Sequence, residues 1–374
     1  MVSFDAYFSE SNHFFLQEDP WQNVRILIDS FNENRRTGFS PGRNIVVDEV
    51  MSAWKGQEGK YAASGAPHVT KIARKPEGVG AELKAAADGQ TNIMLSLDIM
   101  EGKERQGNKK YAHIGSEGTA ICMRLCEHYF ASGRVIHADS AFSSVKTCRH
   151  LRDHGLHFMG CVKTARKFFP IKYLKSFEDD YGHGREKERG GWKLVQSNKD
   201  EDGNEHEPIY GLAWYDRKAK FIVSSCGATH DGEPSLRKRH KRRVENNEYV
   251  TRVWYKQVKR PKMVEEFFSC FSNVDIHDHY RQGSLEMERN WITKKWYHRI
   301  FTTVFGICVV DAFFAYKFEC QNAAEEAEDF NYFLGRLAHQ LIFNVYLDQG
   351  MAMRDNQEQN EDDEMVSHAS YGHR

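Results

Sequence analysis

The sequence predicts an α/β fold, in which a sheet of mixed strand direction is flanked by helices and is followed by a smaller β-rich insertion. Two short runs rich in β-branched residues, "NIVVDEVM" and "RVIHAD", are typical of buried strands. They alternate along the chain with helical patterns such as "GTAICMRLCEHYFASG". Beyond residue 164 the composition changes to glycine, charged residues and short aromatic runs, which indicates the insertion.

The first part of the chain supplies most of the predicted sheet. Residues 1–43 are expected to be mainly helical, because "WQNVRILIDSFNENR" places its apolar residues on one helical face. The core then begins at 44–164 with the strand "NIVVDEVM", and "TNIMLSLDIM", "KKYAHIG" and "LHFMGCVKT" are predicted as further strands, with "EGVGAE" as a turn. The helix after "RVIHAD" is expected to have Ser143 as its cap and to end at Gly155.

The second part of the chain holds the insertion and the last helices. Runs such as "GWKLVQ" and "IYGLAWYD" predict strands within 165–248. The range 249–347 is assigned to the C-terminal helices of the core, because helical periodicity returns at Lys262 and continues to Tyr346. The last of these, "FNYFLGRLAHQLIFNVYL", is predicted to dock on the core, and the acidic segment 348–374 to be disordered. The apolar run Thr302–Tyr316 is shorter than a bilayer span, so no membrane role is expected.

A formal net charge of -1 hides a strongly basic segment. Between Arg237 and Lys262 there are eleven Lys or Arg residues against two acids, a density that suits double-stranded DNA, although a solvated charged loop is the alternative. Its densest part, "RKRHKRR", is also typical of a nuclear import signal and predicts a nuclear protein. The candidate DNA-binding residues here are Arg237, Lys238, Arg239, Lys241, Arg242 and Arg243.

A second basic motif, "RNWITKKWYHR", interleaves cations with Trp and Tyr. This mixture is expected where a DNA strand is contacted by charge and by stacking, and it adds Lys294, Lys295 and Arg299 to the candidate DNA-binding residues. The alternative is that both Trp residues are core and that the cations cover the end of a helix.

Carboxylates mark a candidate catalytic site. Asp48 lies late in the strand "NIVVDEV" and Asp139 ends "RVIHAD", so the two acids face each other if these strands are neighbours. In "MVEEFFSCFSNVDIHDHY", taken as one helix, the apolar stripe runs directly into Asp275 and Asp278. Uncompensated buried charge is costly, so something cationic must meet these acids, and a metal ion is one such partner.

The chemistry of such a cluster is that of phosphoryl transfer. Carboxylate oxygens suit Mg²⁺ or Mn²⁺, and two such ions about 3.5–4 Å apart can activate a water or a 3′-hydroxyl and stabilise the leaving oxygen at a phosphodiester. An aspartate at a strand end is also common as a helix cap, so this alternative stays open. His277 and His279 point in nearly opposite directions on a helix, and contact with solvent or phosphate is expected for them rather than a shared zinc ion.

The motifs "VVDEVMSAWKG", "HADSAFSSVKTCRHLRDHGLHFMGCVKT" and "NVDIHDHYRQGS" with "RNWITKKWYHRIF" resemble, in this order, the catalytic domain of piggyBac-type transposases and their domesticated derivatives. The resemblance covers most of residues 17–347. It implies an RNase H-like fold with a β-rich insertion before the last catalytic helix, and a DDD site that binds two metal ions. Asp48, Asp139 and Asp275 match its three acids, and Asp278 matches a further acid. In the family these acids support hairpin-forming cleavage and integration at TTAA sites.

The sequence also departs from the family pattern. Only 47 residues precede Asp48, and no cysteine follows Cys320, where relatives carry a Cys-rich finger. We therefore expect a catalytic core without its specificity modules, and a homodimer is possible. A domesticated DNA-binding or scaffold protein without turnover is the alternative, and an unrelated metal-dependent nuclease on the same fold is a third interpretation.

Overall fold

The computed structural model describes residues 19–56, 58–59, 65–73, 75, 77–163, 167–182, 189–199, 203–216, 218–227, 230–245 and 248–344. The predicted acidic tail, 348–374, and the first 18 residues lie outside the described residues. The chain divides into two compact units, residues 1–315 and 316–374.

The N-terminal part of the first unit carries most of the elements that were predicted for the core. In chain order they are α1 (Gln22–Gly38), β1 (Asn44–Ala53), β2 (Thr70–Lys71), β3 (Val79–Asp88), β4 (Met94–Ile99), α2 (Lys103–Gln106), α3 (Glu117–Cys126), β5 (Val135–Ala138), α4 (Val145–Asp153) and β6 (His157–Cys161).

The following elements contain the insertion and the return to helices. They are α5 (Ile171–Gly182), β7 (Trp192–Lys199), β8 (Glu205–Tyr215), β9 (Ala219–Ser224), β10 (Ser235–Glu245), β11 (Glu248–Val258), α6 (Lys262–Cys270), α7 (Asn273–His279), a π-helical turn (Tyr280–Leu285), α8 (Met287–Asn290) and α9 (Trp296–Asn322). The segment predicted as one helix, "MVEEFFSCFSNVDIHDHY", is therefore two helices, because the helix ends at Cys270 and the next one begins at Asn273.

The central sheet confirms the predicted α/β class with mixed strand direction. Its strand order is β2-β3-β1-β5-β6-β9-β8-β7, and β4 also pairs with β3. The three strands at its centre, β1, β5 and β6, are parallel, and their neighbours on both sides are antiparallel. The strand that contains Asp48 and the strand that Asp139 follows are therefore neighbours.

The two faces of β1 belong to different hydrophobic cores, because successive side chains of a strand point to opposite faces. Ile45 and Val47 pack in a core with residues of α3 and α4. Val46 and Val50 pack on the other face, in a core with residues of α1, α6, α7 and α9. Asp48 has the same parity as Val46 and Val50, so it belongs to the face that α7 covers.

Strand β3 is the main element that the sequence did not reveal. The predicted turn "EGVGAE" ends early, because the strand begins at Val79 and continues through the alanine-rich run to Asp88. Alanine favours helices, but here β3 pairs with β1 on one side and with β2 and β4 on the other, and this tertiary pairing overrides propensity. The predicted strand "KKYAHIG" is instead a short 3-10 helix, Ala112–Ile114.

The predicted β-rich insertion is present and contributes to two sheets. Strands β7, β8 and β9 extend the central sheet, since β9 pairs antiparallel with β6. Helix α5 precedes them and was not predicted. Strands β10 and β11 form a separate two-stranded ribbon in which Ser235 pairs with Val258 and Glu245 with Glu248.

Helix α9 is longer than the predicted apolar run and, by length and composition, is long enough to cross a membrane. In its most apolar window 61% of the residues are buried inside the fold, which is the pattern of a core helix. Its buried carboxylate, Asp311, pairs with Arg35 at 2.6 Å and accepts the backbone N–H of Met94 at 2.9 Å.

The second unit contains the end of α9 and α10 (Phe330–Phe343). Asp329 caps α10 by accepting the backbone N–H groups of Asn331 and Tyr332, and Phe333 stacks on Tyr316 with 5.5 Å between ring centroids. The docking of this helix stays a prediction.

Candidate active site

Asp48 lies in the middle of β1, and Asp139 directly follows the last residue of the neighbouring parallel strand β5. In the register of β1 and β5, Val46 pairs with His137 and Val47 with Ala138, so Asp48 and Asp139 are the next residues along the two chains. Paired residues of adjacent strands point to the same face, which is the face covered by α7. Asp48 is buried, and its Oδ1 accepts the backbone N–H of Glu49 at 2.8 Å.

The loop after β5 fixes Asp139. The Oδ1 of Asp139 accepts the backbone N–H of Ala141 at 2.7 Å, and its carbonyl oxygen accepts the Ser143 hydroxyl at 2.6 Å. Ser143 therefore supports the loop, and Ser144 is the residue that caps α4, by accepting the backbone N–H of Thr147 at 3.0 Å. The predicted cap is wrong by one residue, and the predicted end at Gly155, whose φ is +71°, is confirmed.

Helix α7 brings the other two acids over β1. Val274 is fully buried in the core shared with Val46 and Val50, which seats the helix on this face of the sheet. Asp275 is 58% exposed, whereas Asp278, one turn further on, is buried. The apolar stripe thus ends in one exposed and one buried carboxylate.

Two cations that the sequence analysis did not identify meet these carboxylates. The first is Lys75, whose Nζ lies 3.6 Å from Asp278 Oδ2 and 4.0 Å from Asp275 Oδ1. The same Nζ donates a hydrogen bond of 2.5 Å to the carbonyl oxygen of Glu49. Because Glu49 directly follows Asp48, Lys75 links the acids of α7 to the middle of β1, next to Asp48.

The second cation is Arg281, which is 1% exposed. Its guanidinium pairs with Asp278 at 2.9 Å, pairs with Glu288, and donates to the carbonyl oxygen of Met51 at 3.0 Å. Arg281 therefore fastens the π-helical turn to β1 and neutralises Asp278 from the buried side. Its position, three residues after Asp278, places both side chains on one helical face, which was a usable signal in the sequence.

The two histidines of "HDH" differ in environment. His277 is fully buried, and its Nε2 lies 3.1 Å from Asp311 Oδ1, so the expectation that it contacts solvent or phosphate is wrong. Its position three residues after Val274 put it on the apolar face. His279 is exposed and lines the cleft described next.

A cleft of about 1580 Å³ opens beside the α7 acids. Asp275, Asp278 and Lys75 line it together with the basic motif that precedes and begins α9. Three of the predicted DNA-binding residues, Lys294, Lys295 and Arg299, are in this lining. The acids of α7 and these three basic residues therefore line the same cleft.

The two tryptophans of the basic motif have different roles. Trp296 is buried and packs edge-to-face on Trp21, with 5.3 Å between ring centroids. Trp291 is 46% exposed. The core interpretation holds for Trp296, and of the two it is Trp291 that offers a stacking surface. Burial lowers the pKa of Arg299, against the opposing charge of Glu77.

The other predicted DNA-binding residues lie on β10, away from the lining of the cleft. Arg239 is buried and pairs with Asp216 at 2.8 Å, and Arg237 reaches the same carboxylate at 4.0 Å. Lys238 and Arg243 are exposed. The side chains of Lys241 and Arg242 lie outside the described residues. The ribbon thus presents part of the predicted basic stripe, while Arg237 and Arg239 are engaged at its base.

The acids approach a metal-binding arrangement without forming one. Among the described residues, no three His, Cys, Asp or Glu side chains are grouped so as to hold a metal ion. The donor chemistry nevertheless fits a hard divalent cation, because Asp275, Asp278 and the Glu49 carbonyl already surround the positive charge of Lys75. Asp48 and Asp139 add two carboxylates on the same face.

Comparison with known proteins assigns the chain to a family. The fold is that of an α/β protein with a mixed sheet flanked by helices. The family model described as Transposase IS4 matches residues 3–313, and the chain belongs to this family. A comparison with curated protein sequences gives no match.

A solved structure supports the same fold. The cryo-EM structure of a piggyBac transposase synaptic complex with hairpin DNA matches with a TM-score of 0.63 and 18% sequence identity, over 88% of this chain. The chain spans 58% of the length of that transposase chain. The match agrees with the piggyBac-type resemblance of the sequence motifs.

Proposed function

We propose that this chain is a piggyBac-like transposase catalytic domain that cleaves DNA and transfers DNA strands at TTAA sites with a DDD triad. The observation that carries the proposal is that Asp48 in β1 and Asp139 directly after β5 come next to each other in the register of these parallel strands, on the face where α7 brings Asp275. Family membership and the fold match support it. TTAA specificity and catalytic activity come from the resemblance alone.

The residues have distinct parts in this proposal. Asp48, Asp139 and Asp275 would hold two Mg²⁺ or Mn²⁺ ions, which, when bound, supply a Lewis acid for the attacking and leaving oxygens of a phosphodiester. Asp278 supports them from one turn along α7. The Ala141 N–H holds the Asp139 carboxylate and the Ser143 hydroxyl holds the Asp139 backbone carbonyl, so little reorganisation is needed at the site.

Double-stranded DNA is the proposed substrate, and the cleft offers a place for its backbone. Lys294 and Lys295 are exposed in the lining of the cleft, beside the acids of α7. Exposed cations next to a carboxylate site suit a phosphate chain that must reach the acids. Lys238 and Arg243 on the β10–β11 ribbon supply a second basic surface.

The catalytic part is tested by nicking and strand joining on a supercoiled plasmid that contains TTAA, in Mn²⁺. We expect products with the wild type, none with Asp139→Asn, and full activity with Asp153→Asn, which changes an exposed aspartate of α4. A plasmid without TTAA separates target choice from cleavage. Equal activity of the wild type and Asp139→Asn would refute the assignment of Asp139.

The DNA-binding part is tested by the salt dependence of affinity for a duplex. The slope of log affinity against log salt should fall by about one in Lys294→Ala and in Lys295→Ala, because each change removes one cation that neutralises a phosphate. Lys172→Ala, which changes an exposed lysine of α5 outside the cleft lining, is the control. A slope that is unchanged in all three variants would contradict DNA binding in the cleft.

The second candidate function is a domesticated transposase-derived protein that binds DNA or serves as a scaffold without turnover. The observation that favours it is that Lys75 contacts both α7 acids and Arg281 contacts Asp278, whereas the described residues contain no group of three ligands that could hold a metal ion. Salt-dependent DNA binding without nicking in Mn²⁺ would support it over the transposase.

Nuclear localisation and a homodimer are further proposals. Imaging a tagged chain with and without "RKRHKRR" tests the localisation, and light scattering tests the homodimer.

A further inference from the structure

Lys75 is a residue of the candidate site whose contacts resemble those of a bound cation. Its ammonium is surrounded by three oxygen atoms, from the carbonyl of Glu49 and from the carboxylates of Asp275 and Asp278, at 2.5 to 4.0 Å. The side chain is 13% exposed, so these contacts are largely shielded from water. Carbonyl and carboxylate oxygens are also the ligands that hard divalent ions prefer.

We propose that Lys75 is an internal competitor for the divalent cation at the Asp275–Asp278 pair. The ammonium neutralises the acids of α7 in the metal-free protein, and a metal ion that binds these acids displaces it. The inference rests on the proposed function, because it requires that Asp275, supported by Asp278, binds a divalent ion. It goes further by assigning an opposing role to a lysine within the site.

The surroundings of Lys75 allow such an exchange. The residue lies in the short connection between β2 and β3, where its backbone N–H donates to the carbonyl of Ile72 at 3.1 Å, so it is not held in a strand ladder. The side chain also lines the cleft of about 1580 Å³, which leaves space for the ammonium to leave the acids. Lysine has a long flexible stem and a compact charge, which suits a movable cation.

Arg281 cannot act in the same way. It is fully buried, and its guanidinium is held at once by Asp278, Glu288 and the Met51 carbonyl. It stays in place in either state and reduces the charge of Asp278 permanently. Of these two cations, Lys75 is therefore the one that sets how tightly the acid pair binds a metal ion.

The experiment measures Mn²⁺ affinity directly, by following free Mn²⁺ by electron paramagnetic resonance during titration of the protein. We expect Lys75→Met and Lys75→Gln to bind Mn²⁺ at least tenfold more tightly than the wild type, a change of about 1.4 kcal/mol. Lys75→Arg keeps the charge and should stay close to the wild type. Lys55→Met removes an 81% exposed lysine from the same cleft and controls for the general change in potential.

Two variants keep the test informative if one folds poorly. Lys75→Gln retains a donor for the Glu49 carbonyl, and thermal unfolding with and without Mn²⁺ shows whether the ion stabilises it more than it stabilises the wild type. Equal Mn²⁺ affinity of the wild type, Lys75→Met and Lys75→Gln would overturn this inference alone, as would an equal gain in Lys55→Met. No Mn²⁺ binding by any protein would overturn the proposed metal site as well.

Discussion

Arg281 gives the most demanding test of how the site is built. Its guanidinium lies between two buried carboxylates, Asp278 and Glu288, and it also binds the Met51 carbonyl of β1. Arg281→Met keeps most of the side-chain volume but leaves both acids buried without this partner. Loss of one partner from a buried ion pair destabilises a protein by about 3–5 kcal/mol.

The magnitude can be converted to a melting temperature. A unit of 315 residues has an unfolding entropy of about 0.7 kcal/mol/K, so this loss corresponds to a fall in Tm of about 4–8 °C. The assay is urea and thermal unfolding followed by Trp fluorescence and circular dichroism. Arg289→Met is the matched control, since Arg289 is 79% exposed and its pair with Glu286 should contribute no more than about 1 kcal/mol.

A double variant distinguishes loss of the ion pair from loss of packing. Arg281→Met with Glu288→Gln removes one of the stranded charges, so it should recover part of the stability that Arg281→Met loses. If Arg281→Met instead unfolds within about 1 kcal/mol of the wild type, the guanidinium does not hold the turn to β1. The description of the site as a network fastened to that strand would then be wrong.

Two further predictions concern stability. Burial raises the pKa of Glu101, but hydrogen bonds from Arg25 and Arg105 and the charge of Lys109 outweigh it and lower this pKa to about 2. The stability from this group, about 3 kcal/mol, is present above the unfolded pKa of about 4.5 and is lost as pH falls towards 2. Glu101→Gln should therefore flatten the plot of unfolding free energy against pH in that window, and an unchanged slope would contradict this prediction. Gly118→Ala would place a Cβ 2.5 Å from the Ala141 carbonyl and should cost about 1–3 kcal/mol, whereas Gly38→Ala, with open space around it, should cost nothing measurable in the same urea titrations.

Local patterns were enough to predict that Asp48 and Asp139 lie on neighbouring strands. Asp48 and Asp139 each end a short β-branched run, and a run buried on both faces belongs in the centre of a sheet, where β1 and β5 do pair. The segment of β3 carried no such pattern, because its alanines favour a helix and only pairing on both edges makes it a strand. Pairing between distant segments is a tertiary property, which a local pattern does not contain.

The same limit applies to the cations of the site: the need for a positive charge could be predicted, but not which residue supplies it. The two acids at the end of an apolar stripe required a positive partner, and this requirement was correct. Which cation supplies it depended on the connection between β2 and β3 folding back over β1, and no periodicity connects Lys75 to Asp278. The burial of His277 could have been predicted from the sequence, since this residue continues the apolar face of Val274.

The difference in burial between Arg281 and Lys75 separates what holds the acids from what regulates them. The guanidinium of Arg281 is 1% exposed and has three partners, so it cannot leave without unfolding its surroundings. Its removal should therefore change the free energy of unfolding more than Mn²⁺ affinity. An ammonium that lines a cleft can leave, so its removal should change Mn²⁺ affinity more than stability. Measuring both quantities on both variants tests this division, because a Lys75→Met protein that loses stability without gaining Mn²⁺ affinity would make Lys75 a second structural cation.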